Sequence, residues 1–310
     1  MSLLAKTLQT MHRKDLRGAS WLLRLVVDRM KLLRDVPIQI ADWPPIFMDL
    51  REPNSLFWFI NSPLADSYRE VDEQTIMRRV IKEHDIVFDI GANIGLHAAL
   101  LSRLVGPSGL VVAFEPNPAV LRPLRKTIAA MGNARLFPFA LSDRACESVL
   151  YLADDTSEVA SLGDWTEGAY GETHQTTCEE RRLDDLIESG VIPHPNFVKC
   201  DVEGAELAVF RGAVNVLDRI DAPIILFEAN AYTAKGFGVG MWDAVTFLTG
   251  LVRPRYSFLE VRGGNVQSRE GACHTVSVNI LAVPSCKGGD FPELNGNGDV
   301  HVHLKPLVML

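Results

Sequence analysis

Val87-Phe-Asp-Ile-Gly-Ala-Asn-Ile-Gly95 is the stretch whose reading decides the fold. An apolar run reaches Asp89 and Ile90, then opens through Gly91, Asn93 and Gly95 into an apolar helical pattern. A strand that turns through glycines into a helix is where a doubly wound α/β fold receives a nucleotide-like ligand. Lacking a Cβ, Gly91 and Gly95 allow positive φ and let a ligand approach the backbone closely.

Outward from this turn the chain alternates. Strands are predicted over 86–90, 110–114, 135–141, 197–200 and 224–227, with helices over 94–105, 118–131, 183–189 and 205–217. This alternation implies an α/β fold with a mostly parallel, doubly wound, Rossmann-like sheet. The β-rich segments 256–261 and 275–283 lack a long helix between them and read as a hairpin at one sheet edge. The stretch 153–175, with Trp165 and Tyr170, is too long for a simple connection and reads as a lid or substrate loop.

Three regions follow: a basic helical extension with a small β cap over 1–65, the α/β domain over 66–285, and a loop and tail over 286–310. Residues 1–35 carry eight Lys/Arg against three Asp, a local +5 that leaves −13 on the rest of a chain of net charge −8. That extension is partly amphipathic, so it either packs on the domain or makes peripheral contact with an anionic membrane. In the cap, 46–50 and 56–60 read as two short strands joined by a turn, followed by a helix over 71–81. The acidic balance argues against nucleic acid as a partner, because phosphate neutralisation needs a basic surface. Five widely spaced cysteines contain no C-x-x-C pair, so buried reduced thiols are expected. Charged residues interrupt the apolar stretch 21–33, and a cytoplasmic location is expected.

The glycine turn departs from the dinucleotide fingerprint G-x-G-x-x-G, which needs glycine where this chain has Asn93 and Leu96. This weakens the alternative of an NAD-dependent oxidoreductase. S-adenosylmethionine has no pyrophosphate to seat on the helix; it needs room for adenosine and polar groups for its methionine part. Asp89, Gly91, Asn93 and Gly95 suit that, and Glu115 at the next strand end stands where an acidic side chain accepts ribose hydroxyls. Asp143, after the third strand, is read as a partner for the adenine amine or as a turn cap.

Phe114-Glu-Pro-Asn117, Ala140-Leu-Ser-Asp143, Arg182-Leu-Asp-Asp-Leu186, Val198-Lys-Cys-Asp-Val-Glu-Gly-Ala-Glu206 and Phe227-Glu228 complete a succession of motifs. Together with 87–95 they resemble the FkbM-type methyltransferase family over about residues 66 to 230. The resemblance implies a class I methyltransferase sheet, S-adenosylmethionine as methyl donor, and a hydroxyl on a small-molecule, glycosyl or polyketide-like acceptor. Cys200 departs from the isoleucine common at its place, and both are apolar choices for a buried strand.

Asp201 and Glu203 end the fourth strand and should face the crevice above the sheet, with Glu228 beside them. They are the expected catalytic residues, in that order, with Asp201 also near the donor. Glu206 fits the first turn of the following helix, where the dipole favours it. The three carboxylates could instead hold Mg²⁺, but no metal is assigned. His97 reads as a packing histidine before an acceptor contact, and His301 with His303 as a tail strand without a third ligand. A non-catalytic scaffold of the same fold is the remaining alternative.

Overall fold

A computed structural model describes residues 34–51, 55, 71–153, 156–163, 173–268 and 276–291. The basic extension up to residue 33, the expected strand 56–60, parts of the 153–175 loop, Cys273, and His301 with His303 lie outside the described residues.

The cap strands are β1 (Val36–Ile38) and β2 (Ile46–Met48), antiparallel with Ile38 opposite Ile46. The partner of β2 is therefore the 36–38 segment, whose three residues around Pro37 give little strand signal. The Phe47 amide donates to the Thr127 hydroxyl at 2.9 Å and ties the cap to the domain. Helix α1 (Val71–Val80) follows, acidic in its first turn and basic in its last, as the helix dipole favours.

The alternation then runs β3 (Ile86–Ile90), α2 (Leu96–Val105), β4 (Leu110–Phe114), α3 (Pro118–Ala129), β5 (Ala134–Phe137). Helix α3 starts where it does because the Asn117 side chain accepts the Ala119 amide at 2.9 Å and Pro118 fills the first turn.

The single strand expected over 135–141 is divided at Pro138, which has no N–H to continue a ladder. Its second half, β6 (Ala140–Leu141), joins β7 (Cys146–Ala153), β8 (Thr156–Ser161) and β9 (Thr173–Arg181) in a separate sheet of order β6-β9-β7-β8. Strands β8 and β9 take up part of the segment read as a loop. Strand β9 (Thr-His-Gln-Thr-Thr-Cys-Glu-Glu-Arg) is polar and mostly exposed, so it carries no apolar alternation.

Helix α4 (Leu183–Glu188) leads to β10 (Phe197–Cys200), then α5 (Glu206–Arg211) and α6 (Val214–Leu217). The expected helix 205–217 breaks at Gly212, where a Cβ would lie 1.9 Å from the Ser142 carbonyl oxygen. Strand β11 (Ile224–Asn230), α7 (Ala231–Gly236), α8 (Asp243–Thr249), β12 (Tyr256–Arg262), β13 (Asn265–Ser268) and β14 (Ser277–Pro284) complete the fold.

The main sheet has the order β13-β12-β14-β11-β10-β3-β4-β5, with β14 antiparallel to β11 and β12. Strands β12 and β14 pair as expected, but β14 lies inside the sheet and β13 takes the edge. The parallel strands are buried on both faces, which explains their unbroken apolar sequences. Val87, Phe197 and Leu226 pack with α1, α2 and α3 on one face, and Phe88, Val198 and Phe227 with α4, α5, α6 and α8 on the other. The chain winds outward from β3 through β4 to β5, then returns to β10 on the opposite side of β3. The crevice at this reversal is where a doubly wound sheet binds its ligand. Among the described residues no helix is long and apolar enough to cross a membrane.

Candidate active site

A cavity of about 310 Å³ opens at the reversal, above the ends of β3 and β10. Gly91 adopts φ +84°, and a Cβ on it would lie 1.8 Å from the Asp201 carbonyl oxygen. The glycine therefore lets two parallel strand ends close on each other, which keeps their turns on one cavity wall. Gly95, at φ +86°, meets a different demand: a Cβ there would come within 2.9 Å of both Leu124 and Thr127. Its smallness serves the packing of α2 on α3.

Glu115 sits at one end of the cavity, 5% exposed. One carboxylate oxygen accepts the Asn93 amide at 2.7 Å and the other the Asn117 amide at 2.8 Å. Burial nonetheless dominates these two bonds and pushes its pKa up to about 7. Phe139, Leu141, Leu150 and Leu162 form an apolar wall near it, the last three contributed by the inserted sheet region. Phe114 and Phe137 stack at 5.5 Å between ring centres and back this wall.

The other end is polar. Asp201, Glu203 and Glu228 all line it, together with Glu73 of α1 and Asn279 of β14. Glu228 accepts hydrogen bonds from Ser277 and Asn230, and Glu73 one from Asn279. Burial raises the pKa of both glutamates, and the nearby Asp201 charge adds to the rise. The cation among these carboxylates is Lys199, 4% exposed, whose Nζ donates to Asp201 at 3.0 Å. Lys199 and Glu73 were absent from the sequence-derived site. Lys199 could have been found as a charge in the middle of a fully buried strand, where an apolar residue is expected. Glu73 offered no such signal, since an acidic residue in the first turn of a helix is ordinary.

Beneath this end Asp89 is fully buried, paired in register with Lys199 across β3 and β10. Among the described residues no donor meets either of its oxygens in hydrogen-bonding geometry, and the nearby Lys199 charge and Ala98 amide only partly offset a burial that raises its pKa to about 6. Asp89 acts on the cavity through charge and does not line it. His97 does line it, and burial holds its pKa well below the ordinary value. Asp143 stands apart: it is exposed, accepts from the Ser142 hydroxyl at 3.4 Å, and is not part of the cavity wall. Glu206 begins α5, as its reading implied, and is buried there, accepting the Val202 and Gly204 amides at 3.2 and 3.3 Å. Among the described residues no three His, Cys, Asp or Glu side chains form a group that could hold a metal ion.

Comparison with known proteins identifies the family of the chain. The chain is 32% identical over 167 residues to the hexuronic acid methyltransferase AglP of Haloferax volcanii, which covers 51% of this chain and 63% of that protein. It is 24% identical over 149 residues to the 2-O-methyltransferase NoeI of Sinorhizobium fredii, covering 44% and 61%. The chain thus spans less than two thirds of the length of these curated relatives. A solved precorrin-6y C5,15-methyltransferase from Geobacter metallireducens matches 70% of this chain and 89% of its own with a TM-score of 0.40 and 16% identity. The model of the methyltransferase FkbM domain matches residues 89–262, more than half of the chain, and the protein belongs to the FkbM methyltransferase family.

Proposed function

We propose that the chain transfers the methyl group of S-adenosylmethionine to a hydroxyl of a glycosyl or other small-molecule acceptor. The observation that carries this reading is a single cavity at the sheet reversal with Glu115 at one end and Asp201, Glu203 and Glu228 at the other. The relatives support the acceptor class, since one bears the name of a hexuronic acid methyltransferase and another that of a 2-O-methyltransferase.

S-adenosylmethionine, when bound, supplies a methyl group on a cationic sulfur. The residues present fit it. Gly91 lets the ends of β3 and β10 close on each other and presents bare backbone on the cavity wall. Each Glu115 oxygen already accepts one backbone amide and keeps capacity for a ribose hydroxyl. The apolar wall of Phe139, Leu141, Leu150 and Leu162 suits a planar base. The carboxylates at the far end attract a cationic donor. Asp201, with its side chain 37% exposed, takes the acceptor's hydroxyl proton as the oxygen attacks, and Lys199 holds the carboxylate that receives it. General-base assistance contributes roughly 10²–10⁴-fold, and alignment of the reactants about 7–11 kcal/mol.

The test is methyl transfer from labelled donor to a panel of sugars, hydroxylated natural products and amines, with and without EDTA. Label is expected in hydroxyl acceptors at a rate EDTA does not change. Label in amines alone would overturn the O-methyl assignment, and loss of activity in EDTA would bring a metal into the mechanism. A thermal shift with NAD in place of S-adenosylhomocysteine would favour the oxidoreductase.

A second expectation concerns pH. Glu115, ordinarily near 4.5, is raised to about 7, so its carboxylate form grows about tenfold between pH 6 and pH 8. Affinity for S-adenosylhomocysteine, which needs that carboxylate as an acceptor, should rise about tenfold over the same range. The ligand-free protein should do the opposite. Groups raised on folding, Glu115 to about 7 and Glu206 to about 8, contribute stability that is present below pH 4.5 and is lost as pH rises through those values. His97, lowered by burial, has its own loss below pH 6.5. Between pH 6.5 and 8.5 the carboxylates set the slope, and the thermal midpoint should fall. Calorimetric titration and melting curves check both signs; affinity independent of pH would remove Glu115 from the contact.

A further inference from the structure

We propose that Ser161, contributed by the inserted sheet, is a positioning residue that holds the turn carrying Asp201 and Glu203; the inference rests on the transfer role proposed for those carboxylates. Ser161 is 1% exposed at the end of β8. Its hydroxyl donates to the Glu203 carbonyl at 2.9 Å and accepts the Gly163 amide at 3.2 Å. Its neighbours Ala160 and Leu162 both line the cavity, so one short segment forms the cavity wall with two residues and grips the transfer turn with the third.

The turn needs a grip. Glu203 has φ +53°, a left-handed conformation uncommon for a residue with a Cβ, and such conformations persist where the surroundings over-determine them. Gly204 follows at φ +101°, and a Cβ there would lie 2.5 Å from the Thr233 carbonyl oxygen, so the turn is also pressed against α7. From its own helix the turn is held by Glu206, which accepts the Val202 and Gly204 amides. These bonds satisfy two amides on either side of Glu203. The Glu203 carbonyl between them is held by Ser161. Two unrelated parts of the fold thus grip the peptide group between Glu203 and Gly204 from its two ends, and a ligand pressing on Ala160 and Leu162 acts on the same strand end that holds Glu203. The cofactor wall and the transfer turn are therefore one mechanical unit.

Full-length Ser161→Ala and Ser161→Thr are compared with the wild type by amide hydrogen exchange, by calorimetric binding of S-adenosylhomocysteine and by methyl transfer. In Ser161→Ala the Val202 and Gly204 amides should exchange about five- to tenfold faster while those of α2 are unchanged, the loss expected for one hydrogen bond. Turnover should fall by a similar factor at constant acceptor KM, and Ser161→Thr, which keeps the hydroxyl, should restore both. Unchanged exchange at Val202 and Gly204 overturns the proposal. So does faster exchange spread evenly over β10 and α2 with a matching loss of donor-site affinity, which would make Ser161 a general folding residue. If the wild type methylates nothing in the panel, the functional reading fails, and the exchange measurements still decide whether Ser161 holds the turn.

Discussion

Gly91→Ala is expected to remove S-adenosylhomocysteine binding almost completely, by on the order of 10²-fold or more. The residue stands at φ +84°, where a Cβ is disfavoured by about 1 kcal/mol, and that Cβ would fall 1.8 Å from the Asp201 carbonyl oxygen and 2.9 Å from its carbon. Both are backbone atoms at the end of β10, so no side-chain rotation relieves the overlap. Relief comes from parting β3 and β10 at the sheet reversal, which displaces Asp201 and the turn after it. Overpacking of this kind costs typically 1–3 kcal/mol in stability. Gly95→Ala is the informative contrast, because the nearest atoms to its Cβ would be those of the Leu124 and Thr127 side chains, at 2.9 Å. That variant should melt at lower temperature yet keep its affinity within a few fold. Calorimetry and melting curves on the two proteins separate the cases; near-normal affinity in Gly91→Ala would show that the strand ends are not what shapes the site.

The contrast also shows what kind of information the sequence holds. The glycine turn, the strand ending in Glu115 and the Asp201–Glu206 turn are local patterns: an apolar run, a glycine and a carboxylate within a few residues of one another. They were legible because parallel strands buried on both faces are mostly apolar, so that most polar residues fall where the strands end. Gly95 takes the positive φ expected of it, but its packing role did not show in the sequence, since its partner atoms belong to α3, about thirty residues away in the chain. The inserted sheet was not legible. Strands β7 and β9 are exposed over much of their length, and their pairing is set by each other with little help from a buried face. The cap pairing of Val36 with Met48 failed to show because two three-residue strands carry almost no periodicity. Lys199, inside the Val198–Glu206 motif, carries a signal of its own, since a lysine inside a buried strand has to be paired by something. Asp143 had the right separation in the chain, but its side chain points to solvent, a choice of face that spacing alone does not determine.

Lys199 also sharpens the expectation for Asp201. Asp201→Asn removes basicity while keeping an oxygen that can accept from the Lys199 ammonium at its present 3.0 Å separation. The fold and the donor site should therefore survive, and turnover should fall by about 10²–10⁴-fold, the usual contribution of a general base. Glu203→Gln should cost less, because Glu203 enters the cavity from a strained turn position, whereas the Asp201 carboxylate is fixed by the buried Lys199. Lys199→Met behaves differently. It removes the positive charge that offsets Asp89, Glu73 and Glu228 as well as Asp201, and uncompensated interior charge costs about 3–5 kcal/mol. That variant should lose thermal stability together with activity. Single-turnover rates measured beside melting curves distinguish the two patterns. Full turnover in Asp201→Asn would move the proton acceptor to Glu203 or Glu228, and a stability loss in Asp201→Asn as large as that in Lys199→Met would mean that the ion pair serves the sheet and not the transfer.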